Sequence, residues 1–334
     1  MNRMLTIGGD RHPAGRTLMM RVLVTGGRGY IGGRLVRALA DDAAFSITVA
    51  GRPRPSDTPN DTTQIIDWSD FASIVRLCRA QDAVVHLAAM NEPTGERDPE
   101  GALRDNGFAS LALLRAAEAS GVRRFVYAST SKVFGTNPTG TIDESSLPRP
   151  ASHYAITHRL SEDYVLAAHD KHRIEAAVLR LTNAIGAPAD PAVDAWMLIG
   201  NDFCRQAAVT ARIVLRSSGL AWRNFVTMTD IVAAIRHALV LPADRLGDGL
   251  FHLGGPQSQR ILDLASRIAA RSKIVLGRTV EIQRAEPTRD ESHPPLDWRI
   301  GKLASTGWAP AADLNTEIDA TLHLCRDAFM GAEK

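Results

Sequence analysis

The sequence predicts a doubly wound α/β protein, and three observations carry that prediction. From residue 21 onward, short β-branched runs alternate with longer segments that are apolar on one face. The first run ends on a glycine-rich loop that opens a helix. Composition is that of a globular enzyme: 334 residues, 45% hydrophobic and 23% charged. That is chain enough for about two domains and a core that needs no disulfide or metal staple.

Residues 21–25 (RVLVT) read as a buried strand, followed by a glycine turn and a helix over 31–40. Residues 45–50 form a second strand, and 83–88, 124–129 and 176–181 are further apolar runs too short for helices. Between them, Leu103, Phe108, Leu111 and Leu114 are expected on one helical face. The first twenty residues are broken by glycine, proline and arginine and lack the apolar core of a signal peptide. They read as a flexible extension, or as a start codon assigned upstream of Met19 or Met20.

Charge narrows the partners. Lys and Arg number 39 against 37 Asp and Glu, a formal charge of +2 with no basic stripe. Nucleic acid and anionic membrane are therefore not expected partners. No apolar run approaches the ~18 residues that span a bilayer. Cys78, Cys204 and Cys325 are scattered and odd in number, which fits a reducing cytoplasm and neither a disulfide framework nor a zinc site. No His/Cys cluster has metal-ligand spacing.

The loop TGGRGYIG at 25–32 is the most informative stretch. Glycines 26, 29 and 32 permit a tight turn, close approach of backbone to a pyrophosphate, and close helix-to-strand packing. The N–H groups that open the helix at Tyr30 and Ile31 then face the phosphates. A glycine turn without ligand is the plainer reading, but the strand–loop–helix setting favours a Rossmann-type dinucleotide site. An NAD site usually carries a carboxylate at the end of the second strand. Here that segment reads Val49-Ala50-Gly51-Arg52, with no carboxylate before Asp57. Arg28 and Arg52 suit a 2′-phosphate, unless both are solvated surface charges. NADP(H) is favoured, with NAD(H) the alternative.

Further motifs follow in order. Asp67 and Trp68 lie after the third strand, HLAA at 86–89 includes Leu87, Ala88 and Ala89, and Asn106 sits in the next helix. YASTSKVFG (127–135), YAITH (154–158), LRLTNAIGAP (179–188), WRNFVTMTD (222–230) and FHLGGP (251–256) complete the series. Together they resemble the extended short-chain dehydrogenase/reductases of the nucleotide-sugar epimerase/dehydratase type, from about residue 21 to the C-terminus. The resemblance implies a bound nicotinamide dinucleotide held by the glycine loop, Asp67, Trp68, residues 87–89 and Asn106. It implies Tyr154 as acid/base, Thr130 as the hydroxyl that polarises the reacting oxygen, and a lysine four residues after the tyrosine.

The chain departs from that pattern at the lysine, where it has His158. A phenol of pKa about 10 needs a nearby cation to ionise near neutrality, and an imidazole of pKa about 6.5 is largely neutral there. His158 is thus expected to orient the cofactor ribose rather than acidify Tyr154. Reduction suffers least, because it needs the phenol protonated. Lys132 could supply the missing charge, or it is a surface lysine. In the 4,6-dehydratases of the family an Asp-Glu pair follows the threonine; Ser131 and Lys132 stand there instead, so dehydration is not expected.

On the substrate side the resemblance assigns Asn183 and Arg223, helped by Arg216, to the nucleotide diphosphate, with Thr130, Ser131 and Lys132 near the sugar. The plainer readings are a turn residue for Asn183 and a solvated loop charge for Arg223. The expected organisation is a dinucleotide domain of residues 21–182 and 224–254, and a smaller C-terminal α/β substrate domain of 183–223 and 255–334. The expected activity is NADPH-dependent reduction of a keto nucleotide sugar. Epimerisation through a transient keto sugar and a non-catalytic cofactor-binding protein are the rivals. The resemblance also implies a homodimer through helices near 100–120 and 152–170.

Overall fold

A computed structural model describes residues 19–52, 62–289 and 291–330. The expected extension over 1–18, and Asp57, lie outside the described residues. Met20, expected at the end of the extension, is already in the first strand.

Seven parallel strands make the main sheet: β1 (Met20–Thr25), β2 (Phe45–Gly51), β3 (Gln64–Ile65), β4 (Ala83–His86), β5 (Arg124–Thr130), β6 (Glu175–Leu181) and β7 (Leu250–Leu253). Their order is β7-β6-β5-β4-β1-β2-β3, so the direction of winding reverses beside β1. The helices are α1 (Tyr30–Ala40), α2 (Phe71–Cys78), α3 (Glu92–Arg97), α4 (Ala109–Ala119), α5 (His153–Asp170), α6 (Ile199–Thr210), α7 (Met228–Val240), α8 (Ile261–Leu276) and α9 (Leu314–Phe329).

The central strands are mainly apolar because helices cover both faces. Alternation sorts them: Val22, Val24 and Val126 pack with Leu35 of α1 and Ile231 and Ile235 of α7. Leu23, Val84 and Phe125 point the other way, onto Ile74 of α2, Leu113 of α4 and Val165 of α5. A separate cluster joins α6, α8 and α9 through Phe203, Cys204, Ile268 and Leu322. Leu303 and Trp308, expected in the smaller unit, are buried in the main-sheet cluster instead.

One expected face is corrected. Residues Leu103–Phe108 form a π-helical turn, in which the Ala109 N–H reaches the Arg104 carbonyl. The added residue shifts the helical phase. Leu103 and Phe108 consequently lie outside, 41% and 62% exposed, while Leu114 is buried. Among the described residues no helix is long and apolar enough to cross a membrane.

Candidate active site

The site lies at the carboxyl ends of β1, β4, β5 and β6, beside the reversal of strand order, where an open parallel sheet leaves a crevice. Gly26 begins it with φ +72°, and a Cβ there would meet the Ala88 backbone nitrogen at 2.7 Å. A Cβ on Gly32 would meet the Gly26 carbonyl oxygen at 2.2 Å. Both positions therefore require glycine, for the turn and for the approach of helix to loop. Gly29 caps α1 without a side-chain hydrogen bond and no acidic residue follows in the first turn. The opening N–H groups are thus left for an anion.

Two cavities share this loop. The larger, about 640 Å³, is lined by Gly26, Gly29, Tyr30, Ile31 and Gly32 and by the candidate catalytic groups. The smaller, about 410 Å³, runs over Gly26, Arg28 and Gly29 to Arg52 and Trp68. Leu87, Ala88 and Ala89 line both. In the smaller cavity the Arg28 guanidinium donates to the Arg52 carbonyl, and Arg52 forms an ion pair at 2.6 Å with Asp105. Arg28 and Arg52 thus both line the smaller cavity. Asp105 is a member that sequence reasoning missed.

Two expected cofactor residues are not at the groove wall. The Asp67 carboxylate turns onto its own loop, accepting from the Ser69 N–H at 2.9 Å and hydroxyl at 2.7 Å, and these bonds hold it below the usual carboxylate range. Asn106 is buried, and its Oδ1 accepts from the Met90 N–H at 2.6 Å while Nδ2 donates to Thr157. It supports the groove through Met90, which lines both cavities.

The reacting centre is built from β5 and α5. Thr130 ends β5, and its hydroxyl accepts from the Lys132 N–H at 3.2 Å, turning the chain so that Thr130, Ser131 and Lys132 all face the larger cavity. Ser152 caps α5, accepting from the Ala155 N–H at 3.2 Å. Tyr154 then occupies the first turn, with His158 four residues on and on the same face. Their rings meet edge to face, centroids 4.3 Å apart.

Among the described residues no cation compensates this phenol. Burial pushes Tyr154 up to about 12; the negative Glu92 adds to the rise, and the Thr130 hydroxyl draws it part of the way back. Burial pushes His158 down to about 4, so the ring is neutral at pH 7. Its Nδ1 is 2.8 Å from the Tyr127 hydroxyl, and its Nε2 is buried with no partner among the described residues. Lys132 is ion-paired with Glu92 at the cavity lip, which corrects the idea that its charge serves Tyr154. Glu92 comes from α3, and nothing in the linear order marks it as part of the site. His86, which ends β4, has both ring nitrogens engaged, by Thr25 at 2.6 Å and Ser110 at 2.9 Å.

Beneath the site, Arg180 of β6 and Glu162 of α5 form an ion pair through two bonds of 3.0 and 2.8 Å. Both side chains are nearly inaccessible, at 1% and 0%. Glu162 also accepts from the hydroxyl of Ser129, which lines the larger cavity. On the substrate side, Asn183 lines that cavity and is fixed by donating to the Asn224 carbonyl at 2.9 Å. Arg223 and Arg216 do not join it: Arg223 donates to Asn137 and to the Trp222 carbonyl, and Arg216 is exposed.

The model of the NAD dependent epimerase/dehydratase family matches residues 22–254. Over 267 residues the chain is 30% identical to the dTDP-glucose 4,6-dehydratase of Streptomyces niveus, covering 75% of this chain and 76% of the relative. It superposes on the UDP-glucose 4-epimerase of Thermus thermophilus in complex with NAD, with TM-score 0.75 and 25% identity over 92% of this chain and 100% of that one. RMD from Pseudomonas aeruginosa, complexed with NADPH, shares the fold at TM-score 0.73 and 23% identity, over 93% and 99% of the chains. The dehydratase relative overturns the expectation that Ser131 and Lys132 set dehydration aside.

Proposed function

Because the chain belongs to the NAD dependent epimerase/dehydratase family, we propose that it is a nicotinamide dinucleotide-dependent enzyme that reduces a keto group on a nucleotide-linked sugar. The observation that carries the choice of reduction is that, among the described residues, no cation offsets the burial of Tyr154 and the negative Glu92. A phenol held at about 12 beside an uncharged imidazole keeps its proton at pH 7. It is a ready general acid and a poor base.

The residues fit the dinucleotide. The glycine cradle closes if a Cβ is added, and the buried Nε2 of His158 lacks a partner on a residue that lines the cavity. When bound, the reduced dinucleotide supplies hydride to the carbonyl carbon. The chain does the rest: α1 opens onto the pyrophosphate, His158 orients the ribose, Thr130 polarises the carbonyl oxygen, and Tyr154 protonates it. Arg28 and Arg52 favour NADPH over NADH through contact with a 2′-phosphate. The nucleotide-sugar end occupies the crevice by Asn183, and Ser131 and Lys132 lie toward the sugar. We assign dinucleotide binding to residues 21–182 and 224–254 and most substrate contacts to the remainder. Exposed Phe108 (62%), Ile156 (49%) and Tyr164 (42%) support a homodimer through the helices of 100–120 and 152–170.

Epimerisation is the second reading, supported by the likeness to a UDP-glucose 4-epimerase complexed with NAD. One experiment separates the readings. The purified protein is offered NADPH or NADH with UDP- and dTDP-linked 4-keto sugars, and NAD with the corresponding 4-hydroxy sugars; nicotinamide absorbance and the sugar products are followed. Stoichiometric NADPH consumption supports reduction. Retained NAD with interconversion of C4 epimers, or formation of a 4-keto-6-deoxy product, would replace it with epimerisation or dehydration. Dinucleotide binding by calorimetry without turnover would make the protein a binder.

A further inference from the structure

We propose that Tyr127 is a positioning residue for His158: its phenol fixes the imidazole in the tautomer protonated on Nε2, which presents a single donor to a hydroxyl of the bound dinucleotide. This rests on the dinucleotide reading of the site and gives a role to Tyr127, which opens the YASTSKVFG stretch and was assigned none there.

The need arises from the side chain itself. A lysine ammonium carries three donors and serves a ribose in any rotation. A neutral imidazole has one donor and one acceptor, and which nitrogen bears the proton is decided by what the other nitrogen meets. At His158 that partner is Tyr127. It stands on the face of β5 that α5 covers, in the same cluster as Phe125 and Val165. Its hydroxyl lies 2.8 Å from Nδ1. Burial raises this phenol far above its ordinary pKa, so it keeps its proton. In the proposed arrangement that proton is donated to Nδ1 rather than to the Ser161 or Ser110 hydroxyl, and the ring hydrogen goes to Nε2.

The Tyr127 hydroxyl also meets those of Ser161 and Ser110, and the tautomer decides among these partners. The His86 ring is 5.7 Å from that of Tyr127, but its nitrogens are engaged by Thr25 and Ser110. Ser110 and Ser161 both donate to the Asn106 carbonyl. Nε2 of His158 is therefore a buried donor on a cavity-lining residue, without an acceptor among the described residues. Leaving such a group unmet is costly, and a ligand hydroxyl satisfies it.

The test uses the full chain, labelled with nitrogen-15, with thermal unfolding as the control for folding. The ring nitrogens of His158 are identified among the ten histidines by difference against His158→Gln. The wild type is expected to show a protonated Nε2 and an unprotonated Nδ1. Tyr127→Phe is expected to mix the tautomers and to weaken NADPH binding about fivefold, the size of one neutral hydrogen bond, with KM for the sugar unchanged. In a His158→Lys background the same substitution should change NADPH affinity by less than about twofold, because an ammonium needs no orienting phenol. A wild-type ring protonated on Nδ1, or an equal loss in both backgrounds, would overturn the proposal. If the wild type binds neither NADPH nor NADH, the dinucleotide reading fails, and the tautomer still judges Tyr127.

Discussion

Replacing His158 with lysine should convert the site from a proton donor into one that also accepts protons. The aromatic centroids of Tyr154 and His158 are 4.3 Å apart, so an ammonium at this position lies near the phenol oxygen. Two unit charges about 5 Å apart at an effective dielectric of ~20 attract by about 3 kcal/mol, or about two pKa units. The phenol, held at about 12 in the wild type, should then titrate near its ordinary ~10. At about pH 8 the tyrosinate fraction would rise about a hundredfold, and with it the rate of alcohol oxidation. Reduction has the opposite sign. It needs the protonated phenol and is lost as pH rises through the phenol pKa, so its alkaline limb should move down from beyond ~11 to ~10. Ultraviolet titration of tyrosinate, taken as the difference from Tyr154→Phe, isolates one phenol of four. Lysine and tyrosine titrate as a pair, so the apparent pKa is the quantity to compare. A wild-type Tyr154 that already titrates near ~10, or an alkaline limb that stays put in His158→Lys, would refute the reasoning.

Three further outcomes are expected. Glu162→Gln leaves Arg180 charged and buried, and should cost about 3–5 kcal/mol by urea unfolding, most of it recovered on adding Arg180→Met; a loss under ~1 kcal/mol would show the pair to be dispensable. Arg28→Ala and Arg52→Ala should each weaken NADPH about tenfold by calorimetry and leave NADH unchanged; equal losses for both dinucleotides would remove the 2′-phosphate role. Phe108→Glu combined with Ile156→Glu should give a monomer in sedimentation equilibrium, whereas an unchanged mass would locate any dimer contact elsewhere.

Most of the sheet was legible because buried parallel strands are short, continuous apolar runs, and these stand out between amphipathic segments. The glycine loop was legible for a steric reason: Gly26 and Gly32 tolerate no Cβ, so their spacing is written into the chain. Tyr154 and His158 were readable as a pair because one helix turn brings them together. What sequence spacing could not reveal is how separate elements meet. Glu92 reaches Lys132 across 40 residues, and Asp105 reaches Arg52 across 53. The role of Tyr127 depends on which face of β5 meets α5, and an apolar run buried on both sides does not show that. Arg216 and Arg223 were assigned by motif, yet neither lines the cavity: Arg216 lies exposed in a bend, and Arg223 sits in a strand (Trp222–Thr227) and donates to Asn137.

The π-turn at Leu103–Phe108 makes this part of the chain unusually sensitive to length. Its widened ladder lets the Asn106 carbonyl accept from two serine hydroxyls, one on the following helix and one on α5. Deleting one residue here would restore an unbroken α-helical ladder and favour the isolated helix. The same deletion would rotate everything before it by about 100° relative to everything after it. Asn106 would swing away from Met90, and the outward apolar side chains would be scattered around the axis. A shortening that an intrinsic propensity scale scores as an improvement would thus disconnect the groove floor and the outer helical face together. Over these six residues, insertions and deletions should be tolerated worse than substitutions.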